Sequence, residues 1–394
     1  MTPFQKSVEY VKDLIAYPSV SSTTNDEISD WVSEKLETLH FKIEQTHYVD
    51  RLGVKKTNIL AVREPARAAT STNNESENGC FDQNGIAYFC HTDVVPTRGW
   101  NGPGGDPFTP QVTNDRLYAR GSCDMKGSLA AMIAAVETLD ASQQVQPVWI
   151  VCTADEEVGF LGAKHLVKHS AGYREIIGRQ PLGLIGEPTS LNVVHAHKGI
   201  VGLRVTSIGK AAHSSTNHGI NANRRMVPFL QHLLEINQRT EAEVKYQDTR
   251  FDPPTLSWNF GFNDGCTAVN ITPDHSTAWV SFRPMPSVDG QDLLRELNEL
   301  ASESGLDLQP CGDGPPMWID PDNPAIQELA QLAGSKPKTV CYGTDGGELS
   351  EINNRVVFGP GDIAQAHTTD EWIALEQLRL GCEKFGQILE RWCC

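Results

Sequence analysis

Before residue 190, short apolar runs repeatedly break off in acids or a histidine. Ile86 to Cys90 stops at His91 and Asp93, PVWIVCTA runs straight into Asp155-Glu156-Glu157, and Leu184-Ile185 leads to Glu187. Runs of this length are strands, and helical patterns lie between them. Thr2-Pro3 reads as a cap and first helical position, with Phe4, Val8, Val11 and Ile15 on one face. Further helices are expected over Asp26 to Leu39 and Lys126 to Leu139, and further strands near Lys42 to Glu44 and Asn58 to Val62. Such alternation restricts the first half of the chain to an α/β sheet with helices on both faces. Strands of an open α/β sheet direct their carboxyl ends into one crevice, so the polar endings should gather there.

The pattern changes at Lys198. Val201, Leu203 and Val205 alternate with Gly202, Arg204 and Thr206, as in a strand buried on one face only. A helix (Ala222 to Gln238), strands near Thr255 to Phe262 and Ser276 to Arg283, and a helix (Gly290 to Ser304) complete a small inserted α+β domain. The chain returns to the first domain near Leu308, so the expected organisation is 1–198, 199–308 and 309–394. Residues 64–84 are polar and read as a surface excursion. Fifty acidic against 33 basic residues give a net charge of −17, which speaks against nucleic acid or an anionic membrane as partner. Charges run through the first fifteen residues, no stretch approaches a membrane span, and ten cysteines form no CxxC pair. A cytoplasmic protein with free thiols is expected.

Two further clusters stand at element ends: ARGSCDMKG, with Asp124 before a helix, and DIAQAHTTDE, with His367. Singly, each cluster has an ordinary explanation as a helix cap, a solvated turn or a loop acid. Together they are costly, because two like charges about 4 Å apart repel by on the order of 4 kcal/mol at an effective dielectric near 20. Asp93, Asp124, Glu157 and Glu187 in one crevice call for cations. Two histidines with three or four carboxylates suit two divalent ions such as zinc, with cobalt or manganese as substitutes. His91 and Asp93 leave a strand on the same side, as a ligand and the carboxylate that orients it would. Glu156, beside Glu157, is left over to act as a base.

In order and over nearly the whole chain, HTDVVP, RGSCDMKG, DEEVGFLGAKHL, GEPTS, GKAAHSS and AHTTDE resemble the M20 family of dinuclear zinc amidohydrolases. The resemblance implies a mixed-sheet catalytic domain and an inserted α+β lid and dimerisation domain. It implies that His91 and Glu187 hold one zinc, that Glu157 and His367 hold the other, and that Asp124 bridges them through a loop ending in a cis peptide. It makes Asp93 the group that orients His91, Glu156 the general base, and His213 the oxyanion donor, in dimers often supplied by the neighbouring subunit. Arg283, in SFRPMP, would pair with a substrate carboxylate, Asn270 would reach substrate, and the loop Tyr342 to Leu349 would line the pocket.

Within the family, GEPTSLNVVHAHKG, HSSTNHGINA and GPGDIAQAH resemble the branch that deacetylates N-acetylornithine in arginine biosynthesis. Succinyl-diaminopimelate desuccinylases share the metal motifs. Ala119 and Thr368-Thr369 depart from the usual residues at their positions. The expected substrate is a small N-acyl amino acid, and a homodimer through the inserted domain is implied. A binding protein that has lost catalysis would usually lack a ligand or the base, and Glu156 is present. His165 and His169 are spaced four apart but lack the glutamate of a helical zinc pair. Cys123 has no histidine near it in sequence.

Overall fold

The computed structural model describes residues 1–65, 84–265 and 268–394. Nearly all of the expected surface excursion at 64–84 lies outside the described residues. The rest divides into two compact units: Met1–Ala196 with Trp318–Lys338 and Thr344–Cys394, and His197–Met317 with Thr339–Gly343.

The first unit opens with α1 (Pro3–Ile15), capped as its sequence implies. The Thr2 hydroxyl accepts from the Gln5 N–H at 3.2 Å, and the Gln5 side chain accepts from the Thr2 N–H at 2.9 Å. Its nine-stranded sheet has the order β1 (Lys42–Val49), β2 (Lys55–Arg63), β6 (Val148–Thr153), β3 (Ile86–His91), β7 (Leu182–Ile185), β15 (Arg355–Val357), β8 (Val194–His197) and β13 (Met317–Trp318). β14 (Lys338–Val340) pairs with β8 off this path. The sheet is mixed: β6, β3, β7 and β15 run parallel, whereas β1 and β2 are antiparallel additions.

Because side chains alternate along a strand, Ile59, Ala61, Tyr88, Cys90, Ile150 and Cys152 turn to one face. There they join one buried cluster with α1, α2 (Asp26–Thr38), α3 (Lys126–Val136) and α9 (Leu375–Cys393). Every residue of α3 is buried, between α1, α9 and the sheet. It stops at Val136, three residues short of its expected end, where Glu137 turns to Tyr10 and Lys6. On the opposite face α4 (Leu161–His169) and α5 (Ala171–Arg179) pack on β2, with Leu60 against Gly172. A separate three-stranded sheet joins β4 (Gln111–Thr113), β5 (Arg116–Tyr118) and β16 (Trp372–Ala374). Its β5–β16 pairing brings the two ends of the unit together.

The second unit is an antiparallel sheet with the order β10 (Asn259–Asn263), β11 (His275–Phe282), β9 (Ile200–Ile208) and β12 (Asp307–Gly314). One face is covered by α6 (Asn223–Ala242) and α7 (Gln291–Glu303). Leu203, Val205, Ala278, Val280 and Phe282 are buried, while Arg204 and Trp279 are exposed, the one-sided burial that the alternation implies. β12 begins where the sequence places the return to the first domain, but it pairs with β9, so this unit keeps the chain as far as Met317.

Candidate active site

The site is built at the carboxyl ends of the parallel strands of the first unit. β3 ends in His91, β6 leads into Asp155-Glu156-Glu157, and β7 leads through Gly186 to Glu187. Two loops close it: residues 119–125, between β5 and α3, bring Asp124, and the segment before β16 brings His367. His91 Nε2 lies 3.0 Å from Asp124 Oδ1 and 3.6 Å from Glu187 Oε1. His367 Nε2 lies 2.9 Å from Glu157 Oε2 and 3.4 Å from Asp124 Oδ2. Asp124 thus turns one carboxylate oxygen to each histidine. Ligand atoms of His91, Glu156 and Glu187 lie within 4.8 Å of one another, as do those of His91, Asp124 and Glu157. The Asp124–Met125 peptide is cis. His91 and Asp124 are buried, whereas the His367 side chain is 55% exposed.

Asp93 reaches His91 differently from the expected carboxylate–imidazole pair. Its backbone carbonyl takes the 2.9 Å bond with His91 Nδ1, and the nearer carboxylate oxygen is 3.7 Å away. The carboxylate accepts instead from Ser21 Oγ at 2.7 Å and from the backbone N–H groups of Glu156 and Glu157 at 3.1 and 3.4 Å. It therefore anchors the turn that carries the two glutamates. Beneath that turn Asp155 sits in a left-handed conformation (φ 57°), which aspartate tolerates better than most residues. It pairs with the buried Lys56 at 2.8 Å and accepts from Tyr48 Oη at 2.9 Å. Lys56 also donates to the carbonyls of Ser21 and Thr23. Asp345, in the loop expected to line the pocket, is buried and accepts from Thr153 Oγ1 at 2.6 Å.

Desolvation pushes Glu156 and Glu187 well above the usual carboxylate range, and neighbouring acids add to it. Burial and Asp124 raise Glu157, and burial raises Asp345 to about 6. Burial opposes the ionisation of Asp124, but hydrogen bonds from His367 and His91 hold it below its ordinary value. His367 is lifted to about 10 by Asp124 and Glu157. His91, against its burial, is lifted by Asp124. Protons drawn onto imidazoles and carboxylates mark a cluster short of positive charge. The nearby buried lysines do not supply it, since Lys56 pairs with Asp155 and Lys126 donates to the Leu14 and Tyr17 carbonyls. A donor set of two imidazoles and several carboxylates fits divalent cations of zinc type.

His213, Asn270 and Arg283 belong to the second unit. His213 bridges to Ile271, and its Nδ1 pairs with Ser215 Oγ at 2.7 Å. The Asn270 carbonyl accepts from the Ser214 N–H, so His213 and Asn270 are exposed neighbours on two paired segments. Arg283 follows β11, its N–H bonded to the Leu256 carbonyl. Of the residues set aside, Cys123 is buried with its thiol pushed well up by desolvation, and the His165 and His169 rings of α4 lie against each other, 4.4 Å apart and tilted by 33°. Neither histidine belongs to a group of clustered metal-ligating atoms among the described residues. Lys56, Asp155, Ser21, Thr153, Asp345 and Glu371 support the site without having been singled out from the sequence. Asp155, Asp345 and Glu371 stand inside stretches that were, DEE, the pocket loop 342–349 and HTTDE, and that adjacency is the signal that could have found them.

Residues 87–391 match peptidase family M20/M25/M40. The chain is 31% identical to acetylornithine deacetylase of Proteus mirabilis, an alignment spanning 98% of this chain and 96% of the relative. It is 32% identical to that of Myxococcus xanthus over 94% and 93%. Among solved structures, a di-peptidase from Saccharomyces cerevisiae superposes with a TM-score of 0.76 at 15% identity, covering 99% of this chain and 98% of the other. An M20 family metallo-carboxypeptidase from Sulfolobus solfataricus gives 0.74 at 17% identity, covering 98% and 99%.

Proposed function

The chain belongs to peptidase family M20/M25/M40, and from that premise we propose that it hydrolyses the amide bond of a small N-acyl amino acid, N-acetylornithine first among them. The observation that carries this reading is Asp124, with one oxygen 3.0 Å from His91 and the other 3.4 Å from His367. In this reading His91 and Glu187 hold one divalent cation, Glu157 and His367 hold a second, and Asp124 is shared. Bound there, zinc, or cobalt or manganese in its place, supplies Lewis acidity that acidifies water and polarises the amide carbonyl.

Glu156 is the general base: its carboxylate takes the proton of the attacking water and returns it to the amine nitrogen as the C–N bond breaks. Burial pushes its carboxyl well above the usual carboxylate range, which favours keeping the proton until it is returned. Asp93, through the N–H groups of Glu156 and Glu157, keeps base and ligand on one turn. His213 donates to the oxyanion, Arg283 pairs with the substrate carboxylate and Asn270 binds substrate, and two copies would pair through the second unit. Arginine biosynthesis is the setting that the named relatives suggest. Eight unlinked cysteines among the described residues favour a reducing compartment, the cytoplasm.

The test is amine release from N-acetylornithine, N-succinyl-diaminopimelate and a panel of N-acetyl amino acids by the zinc-loaded protein and by Glu156→Gln. We expect preference for N-acetylornithine, and a loss of about 10²–10⁴-fold in kcat in the variant with zinc content unchanged. Turnover of another acyl amino acid would discard the substrate and keep the base. Full activity in Glu156→Gln would discard the base.

A further inference from the structure

Glu371 is almost wholly buried, 1% exposed, and lies four residues after His367, directly before β16. Its Oε1 accepts from the backbone N–H of Cys123 at 2.9 Å and of Asp124 at 3.0 Å. Its Oε2 accepts from the N–H of Gly121 at 3.0 Å and from Arg120 Nη1 at 2.7 Å. The Glu371 carbonyl also accepts from the Ala119 N–H, continuing the β5–β16 pairing. Arg120 then reaches across: its Nη2 donates to the carbonyl of Thr368, the residue after His367, at 2.9 Å. His367 itself sits at φ 63°, a conformation that a non-glycine residue keeps only when its surroundings hold it.

We propose that Glu371, with Arg120, is a positioning residue for the metal pair, fixing the Asp124 loop and the His367 segment relative to each other. This rests on the reading of Asp124 as the ligand shared by two cations. Electrostatics alone argues against an acid here, because Glu371 adds another buried carboxylate beside Asp124, and each disfavours the other's charge. A carboxylate offers what a neutral side chain cannot: acceptor capacity for four donors at once, three of them N–H groups of the loop that ends in Asp124. A carboxylate buried only to neutralise Arg120 would have no need of those three. Partners of this kind, one step behind the ligands, typically set metal affinity by about 10–100-fold.

Glu371→Gln keeps the shape and loses both the charge and half of the acceptor capacity. In the full-length chain, zinc affinity would be measured by competition with a chromophoric chelator, and ligand geometry by the visible absorption of the cobalt-loaded protein. We expect zinc binding about 10–100-fold weaker and a displaced cobalt band. Gln144→Ala is the control for general destabilisation: Gln144 holds Arg63 at the opposite end of the strands, so it should leave both readouts at the wild-type value. Zinc affinity within twofold of wild type and an unmoved cobalt band in Glu371→Gln would overturn the proposal, as would an equal loss in Gln144→Ala. If Glu371→Gln does not fold, Arg120→Lys decides. It keeps a cation beside Glu371 but removes the fork to Thr368, and an unmoved cobalt band there overturns the proposal. Asp124→Asn separates the two layers of the argument: unchanged zinc stoichiometry and affinity in that variant would overturn the ligand assignment itself.

Discussion

At the scale of single residues, the site works by backbone N–H groups as much as by side chains. Asp93 illustrates this, since its carboxylate spends its hydrogen bonds on Ser21 and on the peptide groups of Glu156 and Glu157. In Asp93→Asn, one of the two oxygens becomes a donor facing donors. We expect kcat to fall about 10–100-fold while metal content stays at the wild-type value, measured by steady-state kinetics beside elemental analysis. An unchanged kcat would show that the turn holds without it. Of the assigned ligands, His91, Glu157 and Glu187 were legible in the sequence because each ends or follows an apolar run, whereas Asp124 and His367 stood out only as polar clusters at element ends and through the family resemblance. Asp93 was legible as a member of the site, but its route to His91, through a carbonyl, was not. Asp155 and Glu371 lay in stretches that stood out, but their partners did not, and Lys56 was illegible altogether: each answers donors or charges far away in the chain, and no periodicity records that.

At the scale of elements, close backbone approach shapes the cleft. Gly359 follows β15, and a Cβ there would stand 2.2 Å from the Gly186 carbonyl oxygen and 2.7 Å from that of Glu187. Neither backbone can yield without moving the Glu187 segment. Gly359→Ala should therefore cost about 1–3 kcal/mol in urea unfolding and weaken the cation assigned to Glu187, seen as sub-stoichiometric zinc after dialysis. Full occupancy with an unchanged midpoint would contradict it.

In the second unit, Arg250 and Ser287 hold Asp248 down to about 2. A carboxylate depressed in the folded state stabilises fully above its unfolded value near 4, and that contribution is lost as the pH falls toward 2. Asp248→Asn should thus lie about 1–2 kcal/mol below wild type at pH 6, with the gap closing near pH 2 in urea titrations across that range. A gap that persists at pH 2 would rule out this origin. Element types were readable from period and caps. The ends were less so: β1 runs five residues past its expected end at Glu44, because pairing with β2, rather than its own pattern, extends it.

At the scale of the whole molecule, the acid cluster should make the first unit dependent on cations. Ligands that bind only the folded state stabilise it by about 2.7 kcal/mol per site at a hundredfold excess over Kd. Chelation should lower the melting temperature of the first unit by roughly 5–10 °C, and zinc should restore it, as scanning calorimetry would show. A melting curve indifferent to chelator would count against cations in the site.

The order of the central sheet carries a further consequence, for how the chain is made. β15 lies between β7 and β8, yet it is synthesised long after both, once the second unit has been passed. Until residues 355–357 leave the ribosome, β7 presents an unpaired apolar edge, the kind of surface that templates aggregation. A nascent chain stalled in the second unit is therefore more than an incomplete hydrolase. It is the stage at which chaperone cover matters most, and a gene truncated there yields a sticky fragment rather than a smaller enzyme.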